Sequence, residues 1–280
     1  MRKAISKIHS IFIEVGHIIK WLYRYLTYPA KVSKLDASKE KVIIVGNGPS
    51  AGEFDYDKYS EQGYSFMCVN YFALDRERFF KLKPKYYCMV DPAFFTESGT
   101  PQKDAKIFEL TRSFETVNWE MVLVCLSYQN PIINNDCILI EKLNNNTYEG
   151  QMNKLSKSLF DKNAGNFGYQ NVLCAGLYYF IAGNAKEIGL IGVESDWHRE
   201  LFVLENNDVV RECRHFYGTD IVNITELGQI KKGELYKYFY YYYNSLFGYY
   251  KAGQYAKMKN LPVNNYCTNS YIDVFEKKKA

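Results

Sequence analysis

The chain has no CxxC pair and no Cys/His cluster; its seven cysteines, Cys68, Cys88, Cys125, Cys137, Cys174, Cys213 and Cys267, are scattered and mostly lie in apolar runs. That argues against a zinc site and for reduced, buried thiols in a cytosolic setting. No run is apolar and long enough to cross a bilayer, and no cleavable leader is evident. A strong charge of one sign is also missing: 35 Lys+Arg against 31 Asp+Glu leave a net charge of +4, so a nucleic-acid groove is not indicated. Histidine is scarce, with four in 280 residues. Two of the four, His198 and His215, fall close together in the later part of the chain.

What is abundant is aromatic: 26 Tyr and 18 Phe, in a chain that is 47% hydrophobic and 24% charged. Such a chain buries a substantial core as one large α/β domain, with room for a helical appendage. Aromatics fill cores first; they also suit sugar-facing clefts and membrane interfaces.

The organising stretch is Lys41-Val42-Ile43-Ile44-Val45-Gly46-Asn47-Gly48-Pro49-Ser50. A β-branched run that stops at a glycine turn reads as a buried parallel strand, whose carboxyl end is where open α/β sheets bind ligands. Gly46 and Gly48 let backbone approach an anion, Asn47 and Ser50 supply side-chain donors, and Ser50 suits a helix cap. That fits a nucleotide or its phosphates as well as an ordinary strand-to-helix turn. It is not read as the dinucleotide fingerprint, since Ala51 stands where a third glycine would, nor as a Gly-Lys-Ser/Thr phosphate loop.

Further strands are expected at Phe66–Asn70, Tyr86–Pro92, Met121–Leu126, Ile132–Leu143, Lys186–Val193 and Leu261–Asn265. Asn70 and Asp91 then either project into the crevice beside the first turn or close their strands as turn formers. Glu194, Ser195, Asp196, His198 and Arg199 crowd the end of the Lys186–Val193 strand, a density of ionisable groups that marks a second site component. His215, in Arg211-Glu212-Cys213-Arg214-His215-Phe216-Tyr217-Gly218, is a candidate general base. Asn265 or Ser270 completes a nucleotide pocket at the sheet edge. Helices are expected at Pro101–Phe114, Tyr169–Gly183 and Leu227–Lys259, and the Lys277-Lys278-Lys279 tail is read as solvated.

Residues 1–28 show helical periodicity, with Ile11, Phe12, Val15, Ile18, Ile19, Leu22 and Leu26 on one side and most basic residues elsewhere. This basic amphipathic helix either lies on an anionic membrane surface, or docks on the domain or on a partner subunit of a homo-oligomer. The expected organisation is this helix and a connector over 1–40, then one Rossmann-like domain over 41–275. Its sheet is mostly parallel, its C-terminal part helical, and 144–166 and 196–220 are candidate lid loops.

In this order, the Val-Ile-Ile-Val-Gly-Asn-Gly-Pro-Ser start, the strand ending at Asn70, Asp91-Pro92, the segment from Lys186 to Glu194 and a later His-aromatic-Tyr-Gly resemble the bacterial family 42 sialyltransferases. They also resemble a wider related group of uncharacterised proteins that includes pterin diphosphokinases. The resemblance spans roughly residues 41 to 275 through short motifs. It implies a modified GT-A type fold that uses a CMP-linked sugar with no cofactor and no metal, with Gly46 to Ser50 and Asn70 on the nucleotide and Asp91 near the donor. In those enzymes a tyrosine soon after the later strand end helps the phosphate leave. Here Asp196 and Trp197 stand in that place, and His198 and Arg199 are the candidates to hold the phosphate. Strict register would put Thr219 at the family's catalytic histidine and leaves His215 at the head of the segment.

The function expected first is transfer of an acidic sugar from a CMP donor to an envelope glycan or lipid-linked acceptor, on the cytoplasmic membrane face. The alternatives are a Mg²⁺-dependent pyrophosphokinase using Glu194, Asp196 and Asp91, and a non-catalytic polysaccharide-assembly module.

Overall fold

The computed structural model describes residues 2–96, 101–131 and 133–280. The side chains of 2–8 and 102–103 lie outside the description, as does the expected strand start at Ile132.

In chain order the elements are α1 (Arg2–Thr27), β1 (Lys41–Val45), α2 (Tyr56–Glu61), β2 (Tyr64–Val69), α3 (Arg76–Leu82), β3 (Tyr86–Cys88), α4 (Pro101–Glu115), β4 (Met121–Leu126) and β5 (Ile138–Leu143). Then come α5 (Lys154–Asp161), α6 (Val172–Ala182), β6 (Glu187–Ile191), β7 (Leu201–Val203), β8 (Val209–His215), β9 (Gly218–Asn223), α7 (Leu235–Met258), β10 (Val263–Asn265) and β11 (Glu276–Lys277).

The main sheet has eight strands in the order β11-β10-β6-β1-β2-β3-β4-β5, and every pairing is parallel. The chain winds outward from β1 to β5, returns to the other flank of β1 as β6, and winds outward again. The order therefore reverses between β1 and β6, and a crevice opens at their carboxyl ends, as in other doubly wound sheets. Val42 to Val45 are fully buried, which is why the central strand is a continuous β-branched run rather than an alternating one.

α6 is apolar nearly all round and almost wholly buried. Gly176 lets it settle on the sheet, since a Cβ there would stand 2.9 Å from Met67 Sδ. Asn171 caps its start, accepting from the Cys174 amide at 2.9 Å. The seven cysteines are free, and all but Cys137 are buried.

The expected lid segments have structure of their own. Residues 196–220 are a short helical turn and three antiparallel strands, β7-β8-β9, over a small separate core of Val209, Ile224, Ile230 and Tyr238. Residues 144–166 contain α5 and form the seat of α1, and none of them lines the cleft described below. Glu14 of α1 accepts from the Tyr148 hydroxyl at 2.5 Å and the Gln151 amide at 3.0 Å, Trp21 Nε1 donates to the Ala164 carbonyl, and Lys20 pairs with Glu149 at 2.6 Å. The N-terminal helix thus docks on the domain through these polar contacts and through Ile18 and Trp21, which pack against the core.

Candidate active site

A cleft of about 1410 Å³ opens at the β1/β6 switch point. Into it face Gly46, Asn47, Gly48, Pro49, Ser50, Asn70, Asp91, Glu194, Asp196, Arg199, His215 and Ser270. Two of the expected site residues do not line it. His198 lies between Tyr242, whose hydroxyl is 3.1 Å from Nδ1, and Tyr271, at 4.5 Å between ring centroids. Because Tyr242 spends its proton on the Ser195 carbonyl at 2.9 Å, His198 Nδ1 must be the donor in that pair. Asn265 is fully buried and closes its own turn, accepting from the Cys267 amide and donating to the Ile272 carbonyl. Thr219 is exposed and also outside the cleft.

The glycines of the first turn have a different origin from the one their pattern suggests. The Gly46 amide donates to the Ile191 carbonyl at 2.8 Å and the Gly48 amide to the Gly192 carbonyl at 3.0 Å, so the two strand tips are laced together. A Cβ on Gly46 would lie 2.2 Å from the Gly192 carbonyl oxygen, and one on Gly48 would lie 1.6 Å from Glu194 Oε2. Side chains are excluded there by the neighbouring strand tip.

Glu194 also takes the place expected for a phosphate. Its Oε1 accepts from the Ser50 amide at 2.7 Å, while the Ser50 hydroxyl accepts from the Gly192 amide at 3.0 Å. A carboxylate of the protein thus already occupies the turn's anion position, and a second anion there would meet like charge.

The polar atoms left over on this wall are acceptors. Asn47 Oδ1, Asn70 Oδ1 and Glu194 Oε2 are buried and have no hydrogen-bond partner. Asn47 Nδ2 reaches the Val69 carbonyl at 3.4 Å, and Asn70 holds a left-handed backbone (φ 51°) that asparagine tolerates. Three acceptors without donors ask for N–H or O–H groups from a ligand.

The groups that suit negative charge stand elsewhere around the cleft. Arg199 is exposed and its guanidinium has no partner among the described residues. Arg214 meets Asp196 at 3.3 Å, and Arg211 pairs with the buried Glu200 at 3.2 Å beneath Trp197. Gln170 to Leu173 bring in the start of α6, whose first-turn amides have no intrahelical acceptor. Lys277 is exposed, as expected of the tail, and from β11 it also lines the cleft, donating to the Ser270 carbonyl at 2.7 Å.

His215 ends β8 at a hairpin whose tip is anchored in the main domain. The Phe216 amide donates to the Asn47 carbonyl at 3.1 Å, and the Phe216 ring packs on Phe72 and under Arg78. His215 stacks on Tyr217, with 4.9 Å between ring centroids. Burial, then the nearby Arg211 charge, push its pKa below the ordinary histidine value, so the ring is neutral near pH 7.

The remaining expected residues have local duties. Asp91 is exposed and caps a helical turn, accepting from the Ala93 amide at 2.9 Å. Ser270 ties the β10–β11 connection to the Val193 carbonyl at 2.6 Å. Glu194, Asp91 and Asp196, the carboxylates a magnesium reading needs, each already serve an amide or an arginine. No group of three His, Cys, Asp or Glu placed to hold a metal occurs among the described residues. The chain has one Asp-x-Asp spacing, Asp55-Tyr56-Asp57; there Asp55 caps α2 and Asp57 pairs with Lys81 on the surface. Sequence reading missed Tyr271, which lines the cleft, and the arginines of β8. Tyr271 lies 77 residues beyond Glu194 in the chain, and only the strand order brings it in, through the hydrogen bond its backbone amide donates to the Glu194 carbonyl at 2.8 Å.

No protein-family model matches this chain, and no curated protein matches it by sequence. Among solved structures it is similar to the sialyltransferase CstII of Campylobacter jejuni. For the complex with the substrate analogue CMP-3FNeuAc the identity is 19% and the TM-score 0.42, covering 86% of each chain. For the complex with cytidine-5′-monophosphate they are 18% and 0.41, covering 86% of this chain and 85% of that one.

Proposed function

We propose that the chain is a sialyltransferase-like glycosyltransferase that moves an acidic sugar from a CMP donor to an acceptor hydroxyl. One observation carries this reading: a wall of unpartnered acceptors, Asn47 Oδ1, Asn70 Oδ1 and Glu194 Oε2, shares a cleft with Arg199, Arg214 and a neutral histidine. A nucleoside offers N–H and O–H donors to the first set, and its phosphate offers charge to the second. The order of sequence motifs supports the same choice.

In this reading the bond between the anomeric carbon and the phosphate oxygen breaks, and CMP departs with the electron pair. Arg199 and Arg214 take up the charge of the leaving phosphate. The acceptor oxygen bonds to the anomeric carbon, and His215, stacked on Tyr217 beside the anchored Phe216, removes its proton. His198, turned between two tyrosines, supports the loop that carries Arg199 and does not touch the phosphate.

The test is a screen of intact CMP-sugars with glycan and lipid-linked acceptors, run beside CMP and ATP titrations with and without Mg²⁺. Transfer from a CMP-sugar that survives chelation supports the proposal. Binding only of Mg-ATP would replace it with the pyrophosphokinase, and absence of any nucleotide binding with the non-catalytic module.

A further inference from the structure

The mild net charge conceals a strong division. Residues 1–40 hold eight Lys/Arg and three Asp/Glu, and residues 231–260 hold six and one; these segments are net +10 in a chain that is +4 overall, so the remainder is net −6. The same two segments carry most of the exposed large hydrophobic side chains among the described residues. On α1, Ile11, Phe12, Val15, Ile19, Leu22 and Leu26 are 43% to 72% exposed. At 100° per residue they fall in one arc of about 100°. No charged residue between 9 and 27 shares that arc, because Glu14, Lys20 and Arg24 are turned to the domain. On α7, Tyr236, Phe239, Tyr240, Tyr243, Phe247 and Tyr250 are 40% to 66% exposed and form a second such stripe. Four of these rings, Tyr240, Tyr243, Phe247 and Tyr250, follow one another at 5.7 to 6.5 Å with interplanar angles of 8° to 23°. α7 contains no acidic residue. The two helices rest on one segment: α1 on Tyr148, Gln151 and Ala164, and α7 on Asp161 through the Tyr255 hydroxyl at 2.7 Å.

We propose that α1 and α7 together seat the protein on an anionic lipid bilayer, lying in the interface without crossing it. No helix among the described residues is long and apolar enough to cross. An aliphatic face for the acyl boundary, tyrosines at headgroup depth and a basic surplus against an acidic remainder are the three features such a surface recognises. Lys20 and Arg24 pair with Glu149 and Lys237 with Glu234, so the attraction comes from the surplus of the two segments as a whole. α7 also lends Leu246 to the cleft wall, so a chain seated this way holds its cleft beside the lipid.

The experiment is flotation of the full chain with phosphatidylcholine vesicles, with and without about 30% phosphatidylglycerol. Binding is expected to be at least about tenfold stronger to the anionic vesicles and to fall with added salt. The double variants Phe12→Gln/Ile19→Gln and Tyr240→Gln/Tyr243→Gln should each lower it by about tenfold or more. All four side chains are exposed, so the variants should keep the wild-type melting temperature and nucleotide binding. Absence of flotation on anionic vesicles, or flotation untouched by both variants, overturns the proposal. So does a wild-type dimer that the α1 variant converts to monomer, which would give the face to a second copy of the chain.

Discussion

The two sides of the cleft are built on opposite principles. The β1 and β6 tips are laced by backbone hydrogen bonds, excluded from carrying side chains by sub-van-der-Waals approach, and sealed by Glu194 on the Ser50 amide. The β7-β8-β9 side rests on a small core of its own, is tied to the main domain through Phe216, and carries the arginines and His215. The glycine turn, the most conspicuous pattern in the sequence, is therefore a packing device and a rack of acceptors. Arg199, Arg214 and His215 come from the other side, where the sequence shows a density of ionisable groups but no glycine turn or apolar run.

His215→Ala gives the largest expected difference between the two sides. Turnover should fall about 10²- to 10⁴-fold while CMP affinity stays within about twofold. An equal loss of both would make His215 part of the binding wall. In the wild type, a base whose pKa is lowered stays unprotonated further into acid, so the acidic limb of the rate profile should lie below about pH 6.5. A limb above that value would contradict the neutral assignment.

Gly46→Ala attacks the laced side instead. With the nearest atom a backbone carbonyl that cannot turn away, the cost should be about 3 kcal/mol in chemical denaturation, with CMP binding lost alongside it. Glu194→Gln is subtler. It should lower stability by about 1 kcal/mol and weaken CMP binding by about tenfold, since with the oxygen kept on the Ser50 amide the NH₂ group falls at the Oε2 position and cannot accept. A gain of tenfold or more would mean that the turn is a phosphate seat which Glu194 merely obstructs. The smallest effect belongs to Phe216→Ala, which loosens the hairpin from Phe72: kcat should drop several-fold, with KM little changed.

These contrasts explain what could be read from the chain and what could not. The buried strands announced themselves, Met121–Leu126 to the residue, because continuous β-branched and apolar runs have few other places to go. Their tips followed from the parallel sheet, which is why Asn70, Asp91 and Glu194 do reach one cleft. β7, β8 and β9 were hidden in a charged segment, since a mostly exposed antiparallel sheet needs no apolar run. Asn265 and His198 looked chemical by residue type, yet their partners, Cys267 and Ile272 for one and Tyr242 and Tyr271 for the other, are turn and packing contacts made only in three dimensions. Gly46 and Gly48 do line the cleft, and the neighbouring strand tip is what a side chain there would meet: a sequence shows that a side chain is missing, while only the fold shows what fills the space.

The central claim is that the acceptor wall grips a cytidine nucleotide, and Asn70→Gly tests it most directly. Glycine keeps the left-handed backbone of position 70 and removes only the carboxamide. Calorimetric titration of CMP into both proteins should show binding to the wild type that weakens by about tenfold or more in the variant, with the melting temperature nearly unchanged. Equal CMP affinity in the two, or none in the wild type, would contradict the account.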